Sequence, residues 1–335
     1  MKYLTALTLL STGLAFGQAN SVETLQVIDA DHHAQLVPGT FGWRGLGLKG
    51  SSDPAGIFPG AGRHDVPALP PQGFYPADVS NPGGGPTIVT AEHNPIYINK
   101  PPSHWGAPGT FLNDLSNSDF IHVLDQYVGF WAGNRYPLGD SFQLTYPVAS
   151  NHTLQVPDLL AIVHAAGAAE GSGLRHIYHL FIPQGVDVCL PGASSSQPPE
   201  CYSPDNPSTF VFCGFHSAVT FSDSVGHVVF TVEPYQNVLG CSVPPSGTAN
   251  GQLIDSTDDT LSHETFEIIS DPDLDAWFVN AFTFAVGNEI ADLCTRAQII
   301  GQNVYSANGT VRLNGHPYTI QSIYSNTFHG CVYTP

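Results

Sequence analysis

Six cysteines, all in the second half of the chain, restrict the fold of this 335-residue sequence more than any other feature. A positive Met1-Lys2 and an apolar run from Leu4 to Phe16 predict a signal peptide over residues 1–17, and therefore an oxidising compartment. The cysteines then predict three disulfide bonds. Fifteen connectivities are formally open, but short loops favour the pairs Cys189–Cys201 and Cys213–Cys241, which leaves Cys294–Cys331 to tie down the C-terminus.

Charge and hydropathy restrict the surroundings and partners of the chain. It has 9 Lys and Arg residues against 28 Asp and Glu residues, a formal net charge of −19. Such a surface repels nucleic-acid phosphates and anionic lipids, so neither nucleic acid nor a membrane surface is expected as a partner. A membrane-spanning helix needs about 20 consecutive apolar residues, and no stretch after the signal peptide is that long. Asn151-His-Thr and Asn308-Gly-Thr are acceptor sequences for N-glycosylation. Together these features predict a soluble, secreted, extracellular glycoprotein.

The composition changes along the chain at about residue 86. Residues 18–85 contain the stretches GRHDVPALPPQGFYP and NPGGGP, which are typical of extended linkers. We expect this Gly/Pro-rich N-terminal extension to be poorly ordered or to lie along the folded part as an arm. Residues 86–335 are expected to form the compact domain.

The pattern within residues 86–335 predicts an α+β fold. TIVTAEHNPIYIN, RHIYHLFIP, FVFCGFHSAVTF and GHVVFTVEPY are typical of strands. GTFLNDLSNSDFIHVLDQY predicts two short helices, or one helix broken at Asn117-Ser118, and VPDLLAIVHAAGAA and DDTLSHETFEIISD predict further helices. We expect one disulfide-stabilised domain around a central sheet that is mostly antiparallel or mixed.

The last of these helices carries the sequence His-Glu-x-x-Glu. Residues four apart share a helix face, so His263 and Glu267 project together, with Glu264 beside them. Asp258 and Asp259 are expected in the first turn, where the helix dipole favours negative charge. Pro272 restricts the residue before it, so the helix is expected to end at Ser270-Asp271.

This helix differs by one residue from the His-Glu-x-x-His helix of zinc proteases. In that design two histidines bind zinc and the glutamate activates a zinc-bound water. A carboxylate is also a zinc ligand, so His263 and Glu267 are predicted metal ligands and Glu264 is the predicted catalytic base. Zinc is the expected ion, and Mn or Ca is an alternative because the site is rich in oxygen.

A third ligand is expected downstream. Asn288-Glu289-Ile290-Ala291-Asp292 resembles, one residue shorter, the segment with which thermolysin-like enzymes supply their third ligand. Glu289 is therefore the predicted third ligand, and Asp292 is a predicted outer partner that would hold His263. Asp271 and Asp273 are competing ligands. The alternative for the whole motif is an ordinary acidic helix with a structural histidine and solvated carboxylates.

Other catalytic signatures are weaker. Cys213-Gly-Phe-His216 could contain a Cys/His nucleophile pair, but a disulfide is the expected use of Cys213. His176 and His179 lie three apart on a strand and so face opposite sides. No Gly-x-Ser-x-Gly or phosphate-binding loop occurs. A pair of catalytic carboxylates for glycoside hydrolysis remains an alternative, because such pairs have no fixed spacing in sequence. The tryptophans are expected mainly in the core.

Several segments, in order, resemble the phosphate-induced, Exordium-like secreted proteins, and more closely their fungal and bacterial relatives. They are GPTIVTAEHNPIYI, IYHLFIPQGVDVC, CGFHSAV, TVEPYQNVLGC, LSHETFEIISDPDLDAW and VRLNGHPYTIQSIYSN. The resemblance covers roughly residues 86–333. It implies secretion and the extent of the domain. The plant members have no settled chemical activity and lack His-Glu-x-x-Glu, whereas the microbial relatives carry it.

The sequence therefore leads to two functional hypotheses. The first is a secreted, zincin-like, zinc metallopeptidase-like hydrolase that acts on peptides, with His263, Glu267 and Glu289 as ligands and Glu264 as base. The second is a non-enzymatic extracellular or cell-wall protein that binds carbohydrate or protein and retains a vestigial metal site.

Overall fold

A computed structural model describes residues 22–25, 78–130, 133–149, 152–192, 198–279, 289–294 and 308–335. The helices are α1 (Pro108–Ser116), α2 (Asp125–Val128), α3 (Val156–Ala169) and α4 (Gln252–Ser270). Short 3-10 turns cover Pro102–Trp105, Asp119–Leu124 and Asp292–Cys294. The strands are β1 (Val22–Leu25), β2 (Glu92–Ile98), β3 (Ser141–Leu144), β4 (Thr153–Gln155), β5 (Gly173–Phe181), β6 (Asp187–Leu190), β7 (Glu200–Tyr202), β8 (Phe215–Thr220), β9 (His227–Glu233), β10 (Asn308–Leu313), β11 (His316–Gln321), β12 (Ile323–Ser325) and β13 (Gly330–Val332).

A mixed six-stranded sheet in the order β1-β3-β2-β5-β9-β8 forms the centre of the fold. Neighbouring strands are parallel from β1 to β9, and only the edge strand β8 is antiparallel to its neighbour. The expectation of a mixed sheet is confirmed, and that of a mostly antiparallel one is wrong. The reason is topological, because α1 and α2 follow β2 and α3 precedes β5, and such helical crossovers join parallel strands.

Helices cover both faces of this sheet. On one face α3 contributes Ile162 and Val163 to an apolar core with Tyr178 and Phe230 from the central strands. On the other face Leu261 and Phe266 of α4 belong to a second core, together with residues of α1 and the sheet. Because side chains alternate along a strand, each buried central strand supplies both cores. This explains why residues 177–181 of β5 and 228–233 of β9 are continuously buried.

Helix α4 is enclosed on all sides. Every residue from Asp255 to Ser270 is buried, between the central sheet, α1 and the β10–β11 hairpin. The alternative of an acidic helix with solvated carboxylates is therefore wrong. The expected first turn is also wrong, because α4 begins six residues before Asp258. The end at Ser270 is confirmed. Asp255 and Asp259 accept hydrogen bonds from the backbone N–H groups of Thr319 and Gln321, so these buried carboxylates hold strand β11.

The three disulfide bonds are those that the sequence predicts. They join Cys189 to Cys201, Cys213 to Cys241 and Cys294 to Cys331. The first links β6 to β7, the second lies beside the start of β8, and the third ties residues 289–294 to β13. Three bridges fit an extracellular protein. Cys213 is thus half of a disulfide rather than a nucleophile.

Parts of the predicted N-terminal extension pack on the folded chain. Val22–Leu25 form the edge strand β1, Val79 is buried, and Ser80 pairs with Phe278. These short segments follow the arm alternative for residues 18–85. The signal peptide, the glycosylation acceptor Asn151 and the side chain of Asn308 lie outside the described residues. Within the described part of the chain, no helix combines the length and apolar character needed to cross a membrane.

Candidate metal centre

Helix α4 presents His263, Glu264 and Glu267 toward the central sheet. Nε2 of His263 lies 3.1 Å from Oε1 of Glu267, one turn further along the helix. All three side chains are fully buried. The predicted shared face is therefore present, but it is directed into the protein interior.

Strand β8 brings a second histidine to this face. His216 lies opposite Thr231 on β9, and its Nδ1 is 3.3 Å from Oε2 of Glu264. The close approach of strand and helix depends on Gly214, because a Cβ there would lie 2.7 Å from the Thr260 side chain. No motif in the sequence marks His216 as a metal ligand. Alternation of side chains along the strand places His216 on the other face from Phe215. It does not indicate which residues of other elements His216 contacts.

Residues 289–294 complete the centre from the other side. The backbone N–H of Asp292 donates a hydrogen bond to Oε1 of Glu267, and the N–H of Glu289 donates one to Oδ2 of Asp292. Oδ1 of Asp292 lies 3.5 Å from Nε2 of His263. Oε1 of Glu289 lies 3.5 Å from Nε2 of His216. The two predicted residues are both at the centre, but each faces a different histidine.

The potential ligands form two groups that share one residue. The His263 group contains His263, Glu267 and Asp292, and the His216 group contains His216, Glu264 and Glu267. Within each group one ligand atom per residue lies within 4.8 Å of the others. Asp292, predicted as an outer partner, therefore occupies the third position beside His263 and Glu267, where Glu289 was predicted.

Three of the four nitrogen–oxygen separations in the two groups match those expected around a tetrahedral zinc ion. Ligand atoms about 2.0–2.2 Å from a tetrahedral zinc ion are about 3.3–3.6 Å apart. The nitrogen–oxygen distances in the two groups run from 3.1 Å for His263–Glu267 to 3.6 Å for His216–Glu267. Neither ring nitrogen of His263 makes a hydrogen bond with a described residue. The 3.1 Å contact thus lacks the alignment of a hydrogen bond, and it is slightly shorter than the separation of two ligands of one zinc ion.

Charge is the dominant physical property of the centre. Glu264, Glu267, Glu289 and Asp292 are four acidic side chains, and the most exposed of them, Asp292, has 6 % of its side chain accessible. Arg135 is the one buried Lys or Arg among the described residues, and it pairs with Asp125. Each buried ion costs several kcal/mol, so protons or cations that neutralise these carboxylates would stabilise the fold.

Burial and neighbouring charges shift the pKa values of His263 and Glu267. Burial lowers the pKa of His263, but the nearby carboxylates, Glu267 first, outweigh burial and raise it well above the ordinary value. Burial, and then the charge of Asp292, raises the pKa of Glu267. The ion-free centre therefore retains protons at neutral pH. A divalent cation would have to displace them, which is the usual coupling of metal binding to proton release.

The competing ligands predicted on the turn after α4 have other contacts. Oδ1 of Asp271 accepts a hydrogen bond from the N–H of Ala276, which stabilises this turn. Oδ1 of Asp273 lies 2.6 Å from Nε2 of His227 at a half-exposed position. Neither residue belongs to the two ligand groups.

Trp105 is a core residue, as expected, and Trp131 lies outside the described residues.

Two other histidine clusters lie outside the His263 and His216 groups. His176 forms a surface group with Glu92 and Glu170. On the opposite face of β5, as predicted, His179 joins His93 at 2.9 Å and Thr231 at 2.9 Å. Burial lowers the pKa of His93 to about 3, so this ring is neutral.

Comparison of the chain with known protein families, with curated proteins and with solved structures gives no match.

Proposed function

We propose that this chain is a secreted metalloprotein that catalyses metal-dependent hydrolysis, most simply of peptide bonds. The observation that supports this function is the convergence of His263, Glu267 and Asp292, fully or almost fully buried, at ligand-to-ligand separations. An imidazole with carboxylates suits zinc first and manganese second. Calcium is less favoured, because its sites are built from oxygen ligands alone.

A bound divalent ion would polarise a substrate carbonyl and make water more acidic. The residues of the chain have separate tasks. His263, Glu267 and Asp292 would hold the ion, and the N–H of Asp292 would orient Glu267. Glu264 lies outside this group and is the nearest further carboxylate on α4, so it would accept the proton from water. Access would be from the side of Asp292, which has the least enclosed side chain.

The family assignment is part of this proposal. A helix with His263, Glu264 and Glu267, packed under a mixed sheet with an antiparallel edge strand, supports a zincin-like domain. The ordered motifs from Cys213 to the end of the chain support membership of the microbial Exordium-like proteins. Three disulfide bonds support secretion.

A second function is favoured by the complete burial of His216, His263 and Glu267. In this case the ion would serve as a structural staple in a non-enzymatic extracellular protein, which binds carbohydrate or protein through another surface. Structural sites are closed, whereas catalytic sites keep a position open to substrate.

Metal analysis combined with hydrolysis assays tests both functions. The full chain, purified from a secretory host, is expected to contain bound zinc or manganese and to cleave members of a fluorogenic peptide library. H263A is expected to lose the ion held by His263, Glu267 and Asp292, and with it the activity. H176A removes a histidine from the surface group and is the matched control that should retain both. Metal without hydrolysis would support the structural function, and a metal-free wild type would contradict both.

A further inference from the structure

We propose that the centre binds two divalent ions bridged by the carboxylate of Glu267. This inference rests on the metal centre proposed above and assigns it a second ion. The first ion would be held by the His263 group and the second by the His216 group. A single mononuclear site uses neither His216 nor Glu289, whereas the two-ion arrangement gives each of them a role.

The orientation of Glu267 is the first observation behind this inference. Its Oε1 lies 3.1 Å from Nε2 of His263, and its Oε2 lies 3.6 Å from Nδ1 of His216. The two histidines do not occur together in either ligand group. One carboxylate thus presents one oxygen to each group. Ions in two-metal sites lie about 3.5–4 Å apart, which a bridging carboxylate can span.

The surroundings of Oε2 are the second observation. This oxygen of Glu267 is buried and makes no hydrogen bond with any described residue. A buried polar atom without such a bond costs about 1–3 kcal/mol, and more when it is charged. Coordination of an ion by Oε2 would remove this cost. The first ion alone would bind Oε1 and would leave the cost of the buried Oε2 in place.

The two ring nitrogens of His216 face different carboxylates, one as a potential metal ligand and the other toward an outer partner. Nδ1 faces Glu264 and Glu267 within the His216 group, and Nε2 faces Oε1 of Glu289 at 3.5 Å. Metal-bound histidines usually have a carboxylate or carbonyl at the second ring nitrogen, which fixes the ring and its tautomer. Glu289 therefore would orient His216, while Glu264 would bind the second ion through Oε2.

Charge also suits two ions. Four carboxylates, those of Glu264, Glu267, Glu289 and Asp292, lie at the centre. Two divalent ions would supply four positive charges, which equals the negative charge of the four ionised carboxylates. Two ions would also make bound water more acidic.

The test uses the full-length protein, stripped with a chelator and reloaded with Zn²⁺ or Mn²⁺. Elemental analysis is expected to give two ions per chain. Electron paramagnetic resonance of the Mn²⁺ form is expected to show an exchange-coupled pair. H216A and H263A are each expected to retain one ion and to show an uncoupled Mn²⁺ spectrum. H176A, the surface control, should match the wild type.

The outcomes separate this inference from the proposed function. No ion at saturation would overturn both. One ion per chain, or two ions without coupling, would overturn the bridged pair and leave a mononuclear enzyme intact. Loss of one ion in H176A would place the second ion in the Glu92–Glu170–His176 surface group and would equally overturn the pair. The wild-type spectrum decides the question even if a histidine variant does not fold.

Discussion

Oε2 of Glu264 lies 3.3 Å from Nδ1 of His216, although 48 positions separate the two residues in the chain. This contact joins the enclosed helix α4 to the edge strand β8. It places the predicted catalytic base next to a histidine that the motif on α4 does not contain. The chemistry of the centre is therefore divided between a local motif and a distant strand.

Replacement of Glu264 by glutamine distinguishes its two roles. E264Q preserves the volume of this buried side chain but removes its charge. We expect hydrolysis to fall by at least about 100-fold, the lower end of the effect of a general base, and bound metal to fall from two ions to one. Peptide cleavage and elemental analysis on the same preparation measure both. Two retained ions with lost activity would make Glu264 a proton acceptor and not a ligand.

Removal of the metal should destabilise the protein, because the buried carboxylates lose their counter-ions. At a free ion concentration 100 times Kd, binding contributes about 2.7 kcal/mol. For a chain of 335 residues, that energy corresponds to a decrease in Tm of roughly 4–5 °C. Calorimetry with and without a chelator measures this shift, and added Zn²⁺ should reverse it. H176A should respond like the wild type, and an unchanged wild-type Tm would contradict a buried metal centre.

The Cys294–Cys331 bridge should support metal binding as well as stability. It closes a loop with a sequence separation of 37 and ends two residues from Asp292. We expect C294S/C331S to lower the unfolding free energy by about 4 kcal/mol. Because residues 289–294 would lose their anchor, we expect a roughly 10- to 100-fold weaker metal affinity, as for other outer-sphere changes. Denaturant unfolding and competition with a chromophoric chelator give the two values.

The matched control for that variant is C189S/C201S. This bridge joins β6 to β7, in a separate sheet, with a sequence separation of 12. Its removal should cost about 3 kcal/mol and leave the metal affinity of the folded protein unchanged. Equal losses of affinity in both double variants would show a general effect of destabilisation.

Asp258 should make the protein less stable as the pH rises. Burial, and then the charges of Asp255, Asp259 and Asp114, raises the pKa of its carboxyl well above the ordinary value. Tyr318 also faces this cluster, and burial, followed by the nearby carboxylates, raises the pKa of its hydroxyl. A carboxyl with a raised folded-state pKa binds its proton more tightly when folded. The wild type therefore loses stability as the pH rises from about 3.9, the ordinary Asp pKa, toward the folded pKa.

We expect D258N to be more stable than the wild type at neutral pH, with a difference that shrinks toward pH 4. Thermal unfolding across this range measures it. D259N is a control of opposite sign, because Asp259 accepts a 2.6 Å hydrogen bond from the N–H of Gln321. Loss of a charged acceptor costs about 1.5–3 kcal/mol at most, so D259N should be less stable. A wild-type-like pH profile in D258N would contradict the prediction.

Element positions were largely predictable from the sequence, and their arrangement was not. The break at Asn117-Ser118 separates α1 from the following 3-10 turn, as the apolar spacing predicts. Helix α3 covers the predicted VPDLLAIVHAAGAA stretch. By contrast, the direction of neighbouring strands depends on which crossover joins them. The burial of α4 depends on the β10–β11 hairpin, which is distant in sequence.

By itself, the sequence determined features that depend on neighbours along the chain. These are the shared face of His263 and Glu267, the end of α4 before Pro272, and disulfide pairs with short separations. Only the tertiary structure decided that His216 joins this face and that Asp292, rather than Glu289, faces His263. The physical reason is that helix periodicity relates residues within a few turns. Contacts between α4, β8 and residues 289–294 arise only when the core packs and Gly214 allows strand and helix to approach.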